Sequence, residues 1–214
     1  TAMDEGAQVA VALAGVLPGM SVLDVCASPG GKTAALWDAM RGEGALTALD
    51  VSEEKLERMR GTLRRLRCED AIRLRLAEEA DAELPARAFD LVVVDAPCSG
   101  LGTLRRHPEI RWRRSHADVT RLAAAQAEIL DRWAPRVKPG GVLLYCVCTF
   151  TRLEGAHQVR RFLARHGEFA PAEAPEGLPF DAEPLRIGPG VWRTSPYPHG
   201  CDGFVAARLR RRAE

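Results

Sequence analysis

The stretch Ser21-Val-Leu-Asp-Val-Cys-Ala-Ser-Pro-Gly-Gly-Lys-Thr33 decides the fold. Its first five residues form a short, mostly apolar run of strand length, and Ser-Pro-Gly-Gly then turns the chain into a helical pattern from Ala34 to Met40. A strand that breaks at glycines into a helix is the opening unit of a parallel α/β sheet, and the glycines let a ligand approach backbone N–H groups at the helix start. Upstream, Glu5 to Val16 carries apolar residues at helical spacing and stops at Pro18-Gly19. Downstream, Ala45 to Leu49, ending at Asp50, predicts a second strand. Ser52 can cap the next helix, whose first turn holds Glu53 and Glu54 and whose last holds Arg64, Arg65 and Arg67, as the helix dipole favours. Leu56, Met59, Leu63 and Leu66 form its apolar stripe.

The alternation continues. Ile72 to Leu76, interrupted by Arg73 and Arg75, reads as a more exposed strand, whereas Leu91-Val-Val-Val94 before Asp95 is apolar on both faces, as a central parallel strand must be. A helix from about Asp118 to Ala134 presents Val119, Leu122, Ile129, Leu130 and Trp133 to the core. Pro139-Gly140-Gly141 leads into a strand from Val142 to Cys148, Gly155 to His166 is helical, and Gly203 to Leu209 is a last strand. The Pro- and Gly-rich segment from Phe169 to Pro198 reads as a long functional loop. The whole chain, 1–214, is thus expected to be one doubly wound, mostly parallel α/β domain with helices on both faces of the sheet.

The composition, 46% apolar, 28% charged and 6% aromatic over 214 residues, is that of a globular protein and excludes disordered, collagenous and small disulfide-scaffold classes. No run reaches the roughly 18 apolar residues of a membrane span, and the N-terminus lacks the order of a signal peptide, so a cytoplasmic protein is expected. Thr1-Ala2-Met3 does not resemble a natural start, which suggests a fragment of something longer. Thirty basic against twenty-nine acidic residues leave a charge of +1, which neither demands nor forbids a polyanionic partner. The six cysteines, at 26, 68, 98, 146, 148 and 201, form no CxxC pair and no disulfide-framework spacing, so no metal is expected and the thiols are either small core residues or reactive groups.

In doubly wound folds the ligand lies beyond the carboxyl ends of the strands. After the first strand comes Cys26 to Thr33, and after the second comes Asp50, placed to bind ribose hydroxyls. Gly31-Lys32-Thr33 resembles a phosphate-binding loop, but such a loop wants a glycine where Cys26 stands, and no G-x-G-x-x-G occurs. A ribose acid without a pyrophosphate cradle fits a nucleoside ligand such as S-adenosylmethionine. Two further strand ends, Asp95-Ala-Pro-Cys-Ser-Gly100 and Tyr145-Cys-Val-Cys-Thr149, deliver thiols to the same rim. Cytosine C5 becomes nucleophilic only when a thiolate adds at C6, so methylation of that carbon requires a cysteine and an acid group near N3, with the base out of any stack.

These motifs, with the Arg105-Arg-His-Pro-Glu-Ile-Arg-Trp112 block, Pro139-Gly-Gly and Asp202-Gly-Phe204, resemble those of the RNA 5-methylcytosine methyltransferases of the Nop/Sun family, in its bacterial 16S ribosomal RNA branch, over essentially the whole chain. The resemblance implies a seven-stranded Rossmann-like class I methyltransferase fold, and a monomer is expected. It implies Cys148 as nucleophile, Cys98 as the thiol that assists product release, and Asp95 and Lys32 as the residues that hold the cytosine. Cys26, Ala27, Ser28, Pro29, Gly30, Gly31, Lys32, Asp50 and Asp95 would surround S-adenosylmethionine. DNA enzymes use the Pro-Cys cysteine for attack instead, which is the competing assignment. The chain departs from the pattern at Val147, where the family has Thr, and in an extra Cys146 on the same strand face. The acidic residue after the third strand is displaced, leaving Glu78, Glu79 or Asp81 to serve, and the family's preceding RNA-binding region is missing.

Arg105, Arg106, Arg111, Arg113 and Arg114, with His107 and Trp112, suit phosphate contacts plus a stacking aromatic on RNA; the alternative is a loop of solvated charges with a core Trp. The basic tail, Arg208 to Arg212, is equally a solvated end or a phosphate contact. Other functional classes remain open: a catalytically silent RNA-binding subunit, a small-molecule methyltransferase, or a transfer RNA rather than ribosomal RNA enzyme.

Overall fold

The computed structural model describes residues 2–213. Five parallel strands form the body of the sheet: β1 (Ser21–Val25), β2 (Ala45–Asp50), β3 (Ile72–Leu76), β4 (Phe89–Asp95) and β5 (Val137–Val147). They lie in the order β3-β2-β1-β4-β5, so the crossover direction reverses beside β1 and opens a crevice at the strand ends between β1 and β4. Register carries the chemistry to one edge: Val25 lies opposite Leu49 and Val94, and Asp95 opposite Cys146.

Helices cover both faces as the pattern predicts. α1 (Glu5–Ala14), α2 (Gly31–Ala39) and α3 (Glu53–Arg65) bury Leu13, Leu36, Met59 and Leu63 against Val22, Leu46, Val93 and Leu144. On the other face α4 (Ala77–Glu83), α6 (His116–Trp133) and α7 (Ala156–Arg165) bury Ala80, Leu130, Trp133 and Phe162 against Leu23, Val92, Leu143 and Tyr145. Between these lies the one-turn α5 (Ile110–Arg113). The expected caps form: Ser52 accepts from Lys55 N–H, and Ser115 makes a reciprocal capping box with Asp118, starting α6 two residues earlier than the apolar pattern suggests.

The Pro-rich segment differs from expectation. It is a built extension of the sheet, with β6 (Phe169–Pro171), β7 (Arg186–Gly188) and β8 (Val191–Arg193), followed by the short α8 (Pro196–His199) and then β9 (Val205–Arg211). β9 runs antiparallel to β5, and its far edge pairs with β8 near Val205 and with β6 near Arg211, giving nine strands rather than seven. Burial explains the order: Trp192 and Phe169 are core residues, and Leu178, Phe180 and Leu185 pack against the first core. Prolines and glycines hide this from periodicity because each strand is only three residues long. The basic tail is likewise part of the sheet: Arg208 is buried and donates to the Glu173 carbonyl, and Arg211 donates to that of Val137.

Candidate active site at the carboxyl edge of the sheet

The glycine loop is shaped by its contacts. β1 ends at Val25, Cys26 takes a left-handed conformation with φ 60°, and Ala27 N–H donates to the Leu49 carbonyl at 2.9 Å. Gly30 sits at φ 95°, and a Cβ there would lie 2.9 Å from Met59 Cγ, so only glycine lets the loop fold down onto α3. α2 begins without a side-chain cap, leaving its first N–H groups for a ligand. A cleft of about 250 Å3 opens here, walled by Asp24, Ser28, Lys32, Asp95, Met3 and Phe204, with Ala27, Pro29 and Gly31 along its floor.

Asp50 is buried and already engaged: its carboxylate accepts from Ser28 N–H at 3.1 Å and Val51 N–H at 2.7 Å and pairs with Lys55 at 3.0 Å. These bonds fix the loop, and Asp50, Cys26 and Gly30 are not among the residues that line the cleft. Asp24, which the sequence reading passed over, is the group that faces an unmet need. One oxygen accepts from the Thr33 hydroxyl at 2.6 Å, the other is buried at the cleft with no partner, and burial pushes the carboxyl up to about 7. An orphaned buried acceptor beside uncapped N–H groups fits a ligand carrying an ammonium or hydroxyl donor, which a nucleoside methyl donor has. An acid inside an otherwise apolar strand was the available signal. Glu78, by contrast, is exposed and outside the cleft lining, as is Glu79, and Asp81 is held by Arg132 and Arg136.

Deeper along the rim, Lys32 Nζ and Asp95 Oδ2 pair at 2.7 Å, and the ammonium stands 5.1 Å from the Phe204 ring centre. Burial opposes the lysine's charge, but Asp95 outweighs it and holds the ammonium above its usual range. Cys98 Sγ and Cys148 Sγ lie 3.1 Å apart, brought together from positions fifty residues distant in sequence. Sharing a proton raises the Cys98 thiol, reinforced by burial and by Glu154, and lowers that of Cys148, which also feels Lys32. The contact therefore favours Cys98 as the donor and Cys148 as the thiol that ionises first. Cys146 is fully buried, 3.5 Å from Asp95 Oδ1, and its thiol is raised by burial, so it is a core residue beneath the site. Cys26 is likewise pushed up to about 12 by burial.

The arginine block divides. Arg105 pairs with Asp4 at 3.0 Å and Arg106 with the fully buried Asp202, clamping the loop after Cys98 to the start of α1 and the approach to β9. Arg114 donates to the Ser99 carbonyl at 3.0 Å. Arg111 instead lies over the ring of Trp112, which is 83% exposed rather than core, and Arg113 has no ion pair among the described residues. Arg111 and Arg113 are exposed without an ion pair among the described residues, whereas Arg105 and Arg106, 44% and 47% exposed, are engaged by buried carboxylates.

A larger groove, about 1710 Å3, lies at the opposite end of the sheet, between α1, the Pro-rich segment and the beginnings of β4 and β5. The crevice rule favours the smaller cleft as the site of chemistry. Among the described residues no group of three or more His, Cys, Asp or Glu is placed to hold a metal ion, and no helix is long and apolar enough to cross a membrane.

Comparison with known proteins agrees with this geometry. The family described as 16S rRNA methyltransferase RsmB/F matches residues 12–210. The ribosomal RNA small subunit methyltransferase B of Serratia proteamaculans is 36% identical over 98% of the chain, and that of Yersinia enterocolitica 35% over 99%. The chain spans about half the length of these relatives, 46% and 47%. Among solved structures, PH0851 superposes with a TM-score of 0.88 at 31% identity, covering 99% of this chain and 47% of that one. NSun6 from Pyrococcus horikoshii with SFG gives 0.82 at 23% identity, covering 99% and 53%, and shares the fold. The sheet is therefore that of the Rossmann-like S-adenosylmethionine-dependent methyltransferases, and the chain belongs to the RsmB/F family of 16S rRNA methyltransferases.

Proposed function

We propose that this chain transfers a methyl group from S-adenosylmethionine to C5 of cytosine in RNA, with ribosomal RNA of the small subunit as substrate, through a covalent bond between Cys148 and C6. The observation that carries the reading is the Cys98–Cys148 contact of 3.1 Å, within electrostatic reach of the Lys32–Asp95 pair that lines the cleft. The names of the curated relatives supply the RNA class.

When bound, the methyl donor supplies an electrophilic methyl group, and Asp24, Ser28 and the uncapped start of α2 are the groups that would hold it. The Cys148 thiolate adds to C6, forming the S–C6 bond and pushing the C5–C6 π pair towards C5 and, through the ring, N3. Lys32 and Asp95 stand beside the thiolate to hydrogen-bond the base edge and accommodate that charge. After C5 gains the methyl group its proton must leave to a base, whereupon the C5–C6 double bond reforms and the S–C6 bond breaks. The Cys98 thiol, already in contact with Cys148 sulfur, returns a hydrogen bond to the departing thiolate. Arg111, Arg113 and exposed Trp112 offer phosphate and stacking contacts outside the cleft.

Nucleoside mass spectrometry of small-subunit ribosomal RNA incubated with protein and labelled donor should detect 5-methylcytosine. On denaturing gels, Cys148→Ala should form no protein–RNA adduct, Cys98→Ala should accumulate one, and Cys146→Ala should behave as wild type. An adduct that persists in Cys148→Ala and disappears in Cys98→Ala would reverse the roles. Calorimetry that finds magnesium-dependent ATP binding and no heat from S-adenosylmethionine would overturn the donor assignment.

A further inference from the structure

Each rim thiol is followed by a hydroxyl residue, Ser99 after Cys98 and Thr149 after Cys148, and both are fully buried with their hydroxyl oxygens 3.0 Å apart. Against them lies Glu154, at the approach to α7 and 0% exposed. One of its oxygens accepts from Ser99 N–H at 2.8 Å and from Gln126 Nε2 at 3.1 Å, the other from the Ser99 hydroxyl at 2.6 Å and the Thr151 hydroxyl at 2.8 Å. Gln126, the one polar residue on the buried face of α6, also donates to the Pro97 carbonyl at 2.9 Å, just before Cys98. The Tyr145 hydroxyl lies 3.0 Å from Gln126 Oε1 and 2.6 Å from the Glu154 carbonyl.

A carboxylate this deep is expensive to bury, and among the described residues no lysine or arginine pairs with Glu154. Three of its four hydrogen bonds instead go to the two loops that carry the thiols, two to Ser99 and one to Thr151, and the fourth to Gln126 on α6. We propose that Glu154 is a positioning residue for the thiol pair, holding Ser99 directly and Thr149 through the Ser99 and Thr151 hydroxyls so that Cys98 and Cys148 are locked at contact distance. Its carboxylate also disfavours a charge on Cys98, and Lys32 favours one on Cys148, so the arrangement biases ionisation towards Cys148. The charged and titratable groups facing the pair are Lys32 from α2, Asp95 from β4, Tyr145 and Cys146 from β5, Arg106 from the loop after Cys98, and Glu154 itself. The role assigned to Cys148 rests on the proposed function, but the clamp does not need RNA to be tested.

The test is iodoacetamide labelling of the purified chain from pH 6 to 9, with peptide mass spectrometry separating Cys98 from Cys148. Wild type should label Cys148 about tenfold faster than Cys98, with a midpoint below the roughly 8.5 of a free cysteine. In Glu154→Gln that preference should collapse to about twofold and the Cys148 midpoint rise by about one unit, since a thiol freed of its partner reverts towards its ordinary value. Ser99→Ala, which removes one hydroxyl and no charge, should move both readouts the same way by less, and Glu154→Asp should restore part of the preference. Thermal unfolding and donor calorimetry establish that each variant is folded. A folded Glu154→Gln with wild-type preference and midpoint overturns the clamp; so does an unfolded one if Ser99→Ala labels as wild type. Wild type that labels Cys98 first refutes the assignment of the attacking thiol, and loss of selectivity in Glu154→Gln would then still support the clamp.

Discussion

Gly102→Ala should separate the thiol pair without touching either thiol. Gly102 N–H donates to the Cys148 carbonyl at 3.0 Å, and its carbonyl accepts from Gly203 N–H at 2.8 Å, so three chain segments meet backbone to backbone. A Cβ on residue 102 would stand 1.8 Å from the Gly203 carbonyl oxygen and 3.0 Å from the Cys148 carbonyl carbon, where ordinary contact begins at 3.4 Å. The obstacles are backbone, so the segments must part by roughly 1.5 Å, a distance a close-packed interior does not absorb locally. Losing two hydrogen bonds at about 1 kcal/mol each, with overpacking strain of similar size, should destabilise the fold by about 3 kcal/mol. That is well within the ~5–15 kcal/mol of a typical domain, so the variant should still fold. Misplacing Cys148 by about 1 Å should lower methyl transfer about a hundredfold. Donor affinity should fall far less than methyl transfer, because the loop from Ala27 to Lys32 is built on β2 and α3 and only Phe204 of the cleft lining adjoins Gly203. Urea unfolding, calorimetry with S-adenosylmethionine and a methyl-incorporation assay measure the three quantities. Unchanged stability together with unchanged methyl transfer would refute the close approach and the argument that backbone contact sets the thiol geometry.

Asp24 gives a pH dependence: its folded value of about 7 lies above the ordinary 3.8, so the native state holds a proton the unfolded chain has lost. Its contribution to stability should fall as pH rises from about 4 to 7, and Asp24→Asn should flatten that decline and raise the melting temperature at pH 8, as scanning calorimetry would show. Arg106→Gln leaves buried Asp202 without this partner and should destabilise by about 1–2 kcal/mol in urea, less than for a fully buried pair because the guanidinium is half in water. Arg111→Gln with Arg113→Gln should instead leave stability alone and lower the slope of log affinity for RNA against log salt by about 2, measured by filter binding. Gly61→Ala, on a helical face where an added Cβ meets nothing within 4 Å, should stabilise by about 0.5–1 kcal/mol.

Much of the site was legible because it is built from local rules. Short apolar runs and stripes of period 3.6 locate β1 to β5 and the long helices, and the glycine turn after Val25 locates the cleft. Once consecutive βαβ units place the strands side by side, every residue that ends a strand lies on one edge, so Asp50, Asp95 and the two cysteine motifs share a rim. The Pro-rich segment escaped because three-residue strands have no period to read, and their order comes from Trp192 and Phe169 finding core on either face of the sheet.

Sequence alone therefore determined the doubly wound fold, the ligand end of the sheet and the presence of two thiols there, since periodicity and turn chemistry act between near neighbours. Tertiary structure decided which polar groups are spoken for. Arg105 and Arg106 pair with the buried carboxylates of Asp4 and Asp202, while Arg111 and Arg113, on the same short stretch, have no carboxylate partner among the described residues. Cys146 is sealed in the core, whereas Cys148, two residues on, meets Cys98. Glu154 stands alone in the sequence and becomes the junction of the thiol loops only when α6, β5 and the loop after β4 pack around it. The physical reason is that a buried polar group must find a partner wherever the fold brings one, and sequence distance places no limit on where that is.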